Sequence, residues 1–315
     1  MRRIVFRQYG GPEVLHLEEA PRPSPGEGEV LVRVAAAGLN PVDYKLFSGK
    51  PTFEPYERSL PSGNGYDFSG FVAENGSGAT AFAPGDRVFG GLRFHAQADY
   101  LVTAETSLVR VPDGLSMVTA GALNVVGRTA VASVASQQLR PGESVLVSAA
   151  AGGVGVLAAQ LAREAGARVL GTASPRNHDY LRSIGIEPVS YGPNLVDDVR
   201  RLAPEGLTAV LDNVGHGTID AAIDLGVPPA RINTIADYPA IAAYGVRGVG
   251  GATAGVKELA HIAGLIAAGA VDLPIDTVHP LEDAAAAYVQ LMEGHARGKI
   301  VLIIQPAPAT EMLRP

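Results

Sequence analysis

The chain has 315 residues, 47% of them hydrophobic, and a formal net charge of −7. That length allows about one to three domains, and an acidic balance without a basic block argues against nucleic acid and anionic membrane as partners. Cysteine is absent, which excludes disulfides, thiolate nucleophiles and every zinc site built on sulfur. The seven histidines form no His-x3-His pair, so no metal site is expected. No apolar run reaches the roughly 18 residues a membrane span needs. The N-terminal MRRIVFRQYG lacks a signal-peptide core, so a cytoplasmic protein is expected.

Residues 1 to 110 read as β-rich. Short strands are predicted over Ile4 to Arg7 and Val14 to Glu18, around the turn Tyr9-Gly10-Gly11-Pro12. Glu29 to Ala36 alternates as a strand should, and Asn40-Pro41 reads as a helix start, with Asn as cap and Pro at the first helical position. Gly49 to Gly63 is a long loop carrying Phe53, Pro55, Tyr56 and Pro61. It reads either as a pocket wall or as a surface loop with aromatic anchors. Strands are predicted at Phe71 to Glu74, after Pro84-Gly85-Asp86, at Asp99 to Val102 and at Ser107 to Val111. This spacing suggests a barrel-like β domain.

From Ser116 the texture becomes alanine-rich and helical. Ser144 to Ser148 is a short apolar strand that runs into Ala150-Ala151-Gly152-Gly153-Val154-Gly155. This is the dinucleotide fingerprint with Ala in the first glycine slot. Val154, Leu157 and Leu161 follow at helical spacing, Gly166 stops the helix, and Arg168 to Gly171 restarts a strand. The order strand, glycine turn, helix, strand sets a helix N-terminus at a strand's carboxyl end, where a pyrophosphate fits. Further strands are predicted at Pro188 to Tyr191, Thr208 to Asn213 and Arg231 to Ile235, giving a doubly wound parallel sheet. Helices over Leu259 to Ile266 and Leu281 to Met292 precede a last strand, Lys299 to Ile304. These return to the β-rich domain, so the predicted division is 1–123 with 255–315, and 124–254. Residues 306–315 are expected to fray.

The stretches GLNPVDYKLFSG, GYDFSG, PGDRVFGG, LRPGESVLVSAAAGGVG, GTASPRN, LDNVG and HPLEDAAAAYVQLMEGHARGKIVL span nearly the whole chain. In that order they resemble the medium-chain dehydrogenase/reductases, specifically their zinc-independent, quinone oxidoreductase-like branch. Zinc members carry a Cys after the first Gly-Leu and a Gly-His-Glu in the second motif. Here those places hold Asn40 and Gly65-Tyr66-Asp67, and the four-Cys structural lobe is missing.

The resemblance implies an α/β chain, with a discontinuous GroES-like β-rich barrel domain and a Rossmann domain, and an active site between them. It also implies a homodimer, and NADPH-dependent reduction of quinones or of double bonds conjugated to a carbonyl. It places Val125 and Thr129 against the cofactor, although Asn124 and Arg128 stand where the family has Pro and Leu. Ala151, Gly152, Gly153 and Val154 would hold the pyrophosphate. Asn213, Thr234 and Ile235 mark strand ends near the nicotinamide. Lys299 reads either as a cofactor contact or as a solvated edge-strand lysine.

The second strand ends in Gly171-Thr172-Ala173-Ser174-Pro175-Arg176-Asn177, with no acid to hold ribose hydroxyls. Ser174 and Arg176 instead suit a 2′-phosphate, and the resemblance adds Tyr191; capping and a solvated charge are the plain alternatives for the first two. Hydride chemistry belongs to the nicotinamide, so the protein must polarise the substrate oxygen. Asn40 and Tyr44 are the candidate catalytic donors, against helix capping and packing, while Tyr66 and Asp67 read as structural. An enoyl-thioester reductase and a non-catalytic NADPH-binding sensor or interaction protein remain the alternative functions.

Overall fold

The computed structural model describes residues 1–50 and 59–305. The loop positions Phe53, Pro55 and Tyr56 and the segment 306–315 lie outside the described residues. The chain divides into two compact units, one of Met1–Val125, Val256–Ala270 and Pro274–Pro315, the other of Val126–Gly255 and Val271–Leu273. No described helix is long and apolar enough to cross a membrane.

The first unit opens with β1 (Arg2–Phe6) and β2 (His16–Glu19), then β3 (Glu29–Gly38) and α1 (Pro41–Phe47). It continues through β4 (Ser62–Gly63), β5 (Asp67–Asn75), β6 (Arg87–Gly91), β7 (Tyr100–Ala104), β8 (Val109–Arg110) and α2 (Met117–Ala120). The predicted turn around Pro12 extends as a 3-10 turn over Pro12–Val14, so the strand predicted from Val14 starts only at His16. Val30, Val32 and Val34 of β3 enter a core with Phe68, Val88, Leu101 and Leu302. Each such side chain, once buried, stabilises by about 1.5–3 kcal/mol.

The helix α3 (Asn124–Gln137) carries the chain into the second unit. There follow β9 (Ser144–Val147), α4 (Gly153–Glu164), β10 (Arg168–Thr172), α5 (His178–Ser183), β11 (Glu187–Val189) and α6 (Leu195–Leu202). Next come β12 (Ala209–Asp212), α7 (Thr218–Asp224), β13 (Ile232–Thr234), α8 (Tyr238–Tyr244) and β14 (Arg247–Gly248). The six strands form a parallel sheet in the order β11-β10-β9-β12-β13-β14. It is the Rossmann arrangement. The short β14 has no predicted counterpart, because two residues, one of them Gly248, carry no alternation to read.

The chain then returns through α9 (Val256–Ala267), β15 (Ile275–Pro280), α10 (Ala284–Met292) and β16 (Lys299–Ile303). The seven-stranded sheet of the first unit runs β15-β16-β3-β5-β6-β8, with β7 also paired to β3. Strand β16 is therefore interior, and Lys299 is 3% exposed; the solvated edge lysine is not what the fold contains. The antiparallel register sets Val301 opposite Gly38, and just beyond it the Leu39 N–H donates to the Ile300 carbonyl, which brings Lys299 toward Asn40. The β3–β5 register, Ala36 opposite Ser69, brings Asp67 to the same end.

Candidate functional site

In the second unit the turn after β9 is built on close backbone approach. Ala149 adopts a positive φ of 49° and its N–H donates to Thr172 Oγ1 at 3.0 Å. A Cβ on Gly155 would sit 2.1 Å from the Ala149 carbonyl oxygen, so only glycine lets α4 start there. Gly152 occupies the N-cap position with no side-chain cap, and the first helical bond runs from Val156 N–H to the Gly152 carbonyl. The N–H groups of Gly153, Val154 and Gly155 precede that bond and have no partner inside the helix. They and the positive end of a twelve-residue helix favour an anion.

Beside this turn, Asp212 closes the carboxyl end of β12 and is fully buried. Its Oδ1 accepts from Ser148 Oγ at 2.9 Å and from the Gly215 N–H at 2.9 Å, and its Oδ2 from Thr234 Oγ1 at 2.6 Å. The Thr234 hydroxyl also accepts from the N–H groups of Ala236 and Asp237. Thr234 is thus a fully buried strut under the sheet edge, its hydroxyl engaged by Asp212 and by two backbone N–H groups. Asn213 N–H donates to Ser148 Oγ at 2.8 Å, and its Nδ2 to the Ser148 carbonyl at 3.0 Å. Two carbonyls face that nitrogen, which fixes the amide's orientation. Asn213 Oδ1 is left buried with no hydrogen-bond partner among the described residues. Such an acceptor costs about 1–3 kcal/mol until a donor meets it.

At the end of β10, Ser174 makes no side-chain cap for the turn that follows, so capping does not account for it. Arg176 and Tyr191 are exposed, Tyr191 by 60%. Asp179 lies inside α5 and is paired with Arg182 at 2.8 Å. Ile235 is half-buried at the end of β13, and Thr129 is buried on α3. Arg128 donates from Nε to the Ala254 carbonyl at 2.6 Å.

The first unit holds Asn40, Tyr44, Val125 and Lys299. Asn40 starts α1, and its N–H donates to Asp43 Oδ2 at 2.8 Å. Its amide also bonds to residues of other strands. Asn40 Nδ2 donates to Asp67 Oδ2 at 3.0 Å, while Oδ1 accepts from Lys299 Nζ at 2.5 Å. Lys299 Nζ also donates to the Leu39 carbonyl and lies 3.9 Å from Asp67 Oδ2. Asn40 is fully buried, and both ends of its amide are held in this network. Burial pushes Lys299 down and Asp67 up, and their mutual attraction opposes both.

The network runs on through Asp43. Tyr288 OH donates to Asp43 Oδ2 at 3.0 Å and accepts from Gln97 Nε2 at 2.7 Å and Asn64 Nδ2 at 3.1 Å. Burial pushes the Asp43 carboxyl up to about 7, nearby Asp67 adding to the rise and the bonds from Asn40 and Tyr288 opposing it. Tyr44 is half-buried on α1, beside the network, and desolvation raises its phenol; it keeps its proton and can donate. Among the described residues no group of three or more His, Cys, Asp and Glu could hold a metal ion.

Two family models match the chain, the alcohol dehydrogenase GroES-like domain over residues 26–136 and the zinc-binding dehydrogenase over 187–302. The mouse quinone oxidoreductase is 31% identical, across 96% of this chain and 98% of its own length. The chain belongs to the medium-chain dehydrogenase/reductases, in their quinone oxidoreductase branch. Among solved structures, the quinone oxidoreductase of Coxiella burnetii superposes with a TM-score of 0.87 at 31% identity, covering 97% of this chain and 99% of the other. Mycobacterial Rv1454c complexed with NADPH superposes at 0.83, with 28% identity over 96% of this chain and all of that one. As a member of this branch the protein is an oxidoreductase, with a GroES-like β-rich unit and a Rossmann unit.

Sequence reasoning did not find Asp43 and Asp67 as members of a charged network, nor Tyr288, Gln97 and Asn64. For Asp43 a signal existed, since an acid three residues after a capping Asn is the pattern of a reciprocal cap. Tyr288 had none, because it meets Asp43 across 245 positions.

Proposed function

We propose that this quinone oxidoreductase-branch enzyme is a metal-independent reductase that uses NADPH to reduce quinones or α,β-unsaturated carbonyl compounds. The observation that carries NADPH is the acid-free end of β10, where Ser174 makes no side-chain capping bond and Arg176 and Tyr191 are exposed. NADPH would supply the hydride once bound.

The chain's own residues divide the remaining work. The N–H groups at the start of α4, with Ala151 and Gly152 leading into them, suit the diphosphate. Ser174 and Arg176 suit the 2′-phosphate through charge-assisted bonds. The orphaned Oδ1 of Asn213 suits a ribose hydroxyl donor. Val125 and Thr129 stand four residues apart, on one face of α3, and Ile235 adds an apolar contact. Tyr44, held protonated by desolvation, is suited to donate to the substrate oxygen as negative charge develops there.

Anaerobic NADPH oxidation against a panel of quinones and enones, with product analysis, tests the reading. Turnover with NADPH well above that with NADH supports it. Tight NADPH binding without oxidation of any substrate would instead favour a sensor. Elemental analysis should find zinc well below one per chain in active protein; activity lost to a chelator and restored by zinc would remove the metal-independent part.

A further inference from the structure

Segment 117–125 leads out of the first unit and lies directly on its sheet. Ser69 Oγ donates to the Met117 carbonyl at 2.6 Å, and Gly38 N–H to the Gly121 carbonyl at 2.9 Å. A Cβ on Gly38 would sit 2.6 Å from Ala122 Cα, and one on Gly121 2.8 Å from the Ala36 carbonyl oxygen. The backbones therefore touch, and glycine is required on both sides. The segment ends where α3 begins. There Asp67 Oδ1 accepts from the Val125 N–H at 2.9 Å and from Asn124 Nδ2 at 3.2 Å.

Val125 N–H is one of the first helical donors, which have no partner within α3. A carboxylate placed there from another strand also meets the positive end of a 14-residue helix. Gly91 makes room for this contact, since a Cβ on it would lie 2.1 Å from Asn124 Nδ2. The other oxygen of Asp67 is held by Asn40 and faced by Lys299. A buried ion pair is an expensive way to hold two strands together, and hydrophobic residues would do so as well. Its separate effect here is to hold a carboxyl group, with fixed direction, on the first turn of α3.

We propose that Asp67, its charge balanced by Lys299, is a positioning residue for reduction: it sets the first turn of α3 and thereby the side chain of Val125 against the nicotinamide. This rests on the cofactor reading given above. Asp67 acts only through Asn124 and Val125 and touches no reacting atom.

The test compares wild type with the double variant D67N/K299M, which removes both charges together, and with N124A, which leaves both in place. NADPH affinity, kcat and KM for an accepted quinone, and the emission of enzyme-bound NADPH are measured for each, with thermal unfolding alongside. The double variant is expected to keep NADPH affinity and quinone KM within a few-fold, to lose about 10- to 100-fold in kcat and to shift the bound emission, as sub-ångström misplacement of a reacting group does. N124A is expected to show the same pattern, smaller in size. Wild-type kcat and emission in a folded double variant overturn the proposal. If the double variant does not fold, unchanged kcat and emission in N124A overturn it, and a reduced kcat with shifted emission supports it. Wild-type protein that neither binds nor oxidises NADPH refutes the functional reading itself, and this inference falls with it.

Discussion

Lys299 Nζ lies 2.5 Å from Asn40 Oδ1, and both residues are buried. The ammonium donates to Asn40 and to the Leu39 carbonyl and lies in the field of Asp67, 3.9 Å away. Asn40 is the link, because its two amide ends separate the cation from the carboxylate. Asn40→Ala should leave a buried ammonium and a buried carboxylate each short of one partner. The expected loss is about 1–3 kcal/mol of stability, read as a lower urea midpoint at unchanged slope. A midpoint equal to wild type would mean water replaces the amide without cost.

Tyr44→Phe isolates the hydroxyl from the ring, which packs on the core of the first unit. If that hydroxyl donates to the substrate oxygen, kcat falls by about 10-fold or more while NADPH affinity stays at the wild-type value. Stopped-flow reduction under saturating NADPH measures this directly. Full kcat in the folded variant would assign Tyr44 to packing.

Arg176→Ala should weaken NADPH by about 10-fold or more and leave NADH nearly unchanged, because a charge-assisted bond to the 2′-phosphate contributes about 1.5–3 kcal/mol. Calorimetric titration of both cofactors separates the two. Equal weakening of NADH and NADPH would place Arg176 elsewhere on the cofactor.

Asp43 makes stability depend on pH. Its folded carboxyl titrates near 7, mainly through burial, against an ordinary value of 3.8. The folded state therefore binds this proton more tightly than the unfolded state. The contribution is complete below about pH 4 and is lost as pH rises through about 7. Asp67, Lys299 and Tyr288 are the titratable groups that act on it. Asp43→Asn removes this term, so the variant should gain on wild type between about pH 4 and 7 and hold a constant difference above pH 8. Urea midpoints across that range check it. A difference that does not change with pH would mean Asp43 is ionised throughout.

The glycine turn after β9 was legible because its causes are local. The strand Ser144–Val147, the positive φ at Ala149 and the contact that forbids a side chain at Gly155 all fall within twelve residues. The acid-free end of β10 was legible for the same reason. Asn213 was placed at a strand end by pattern, but its unpaired oxygen was not, since that depends on Ser148 meeting it from the end of the neighbouring strand β9.

The first unit divides differently. The sequence by itself determined that its strands form, that Asn40 begins a helix and that no cysteine stands where zinc members have theirs. Only the tertiary structure decided what Asn40, Asp67 and Lys299 do. Asn40 and Lys299 are 259 positions apart, and they meet because β16 enters between β15 and β3 in one register. Residue type and spacing report what a side chain can offer; which charge it faces, and whether water reaches it, is set by strand order. That is why a lysine readable as a solvated edge residue is instead the buried counter-charge of Asp67.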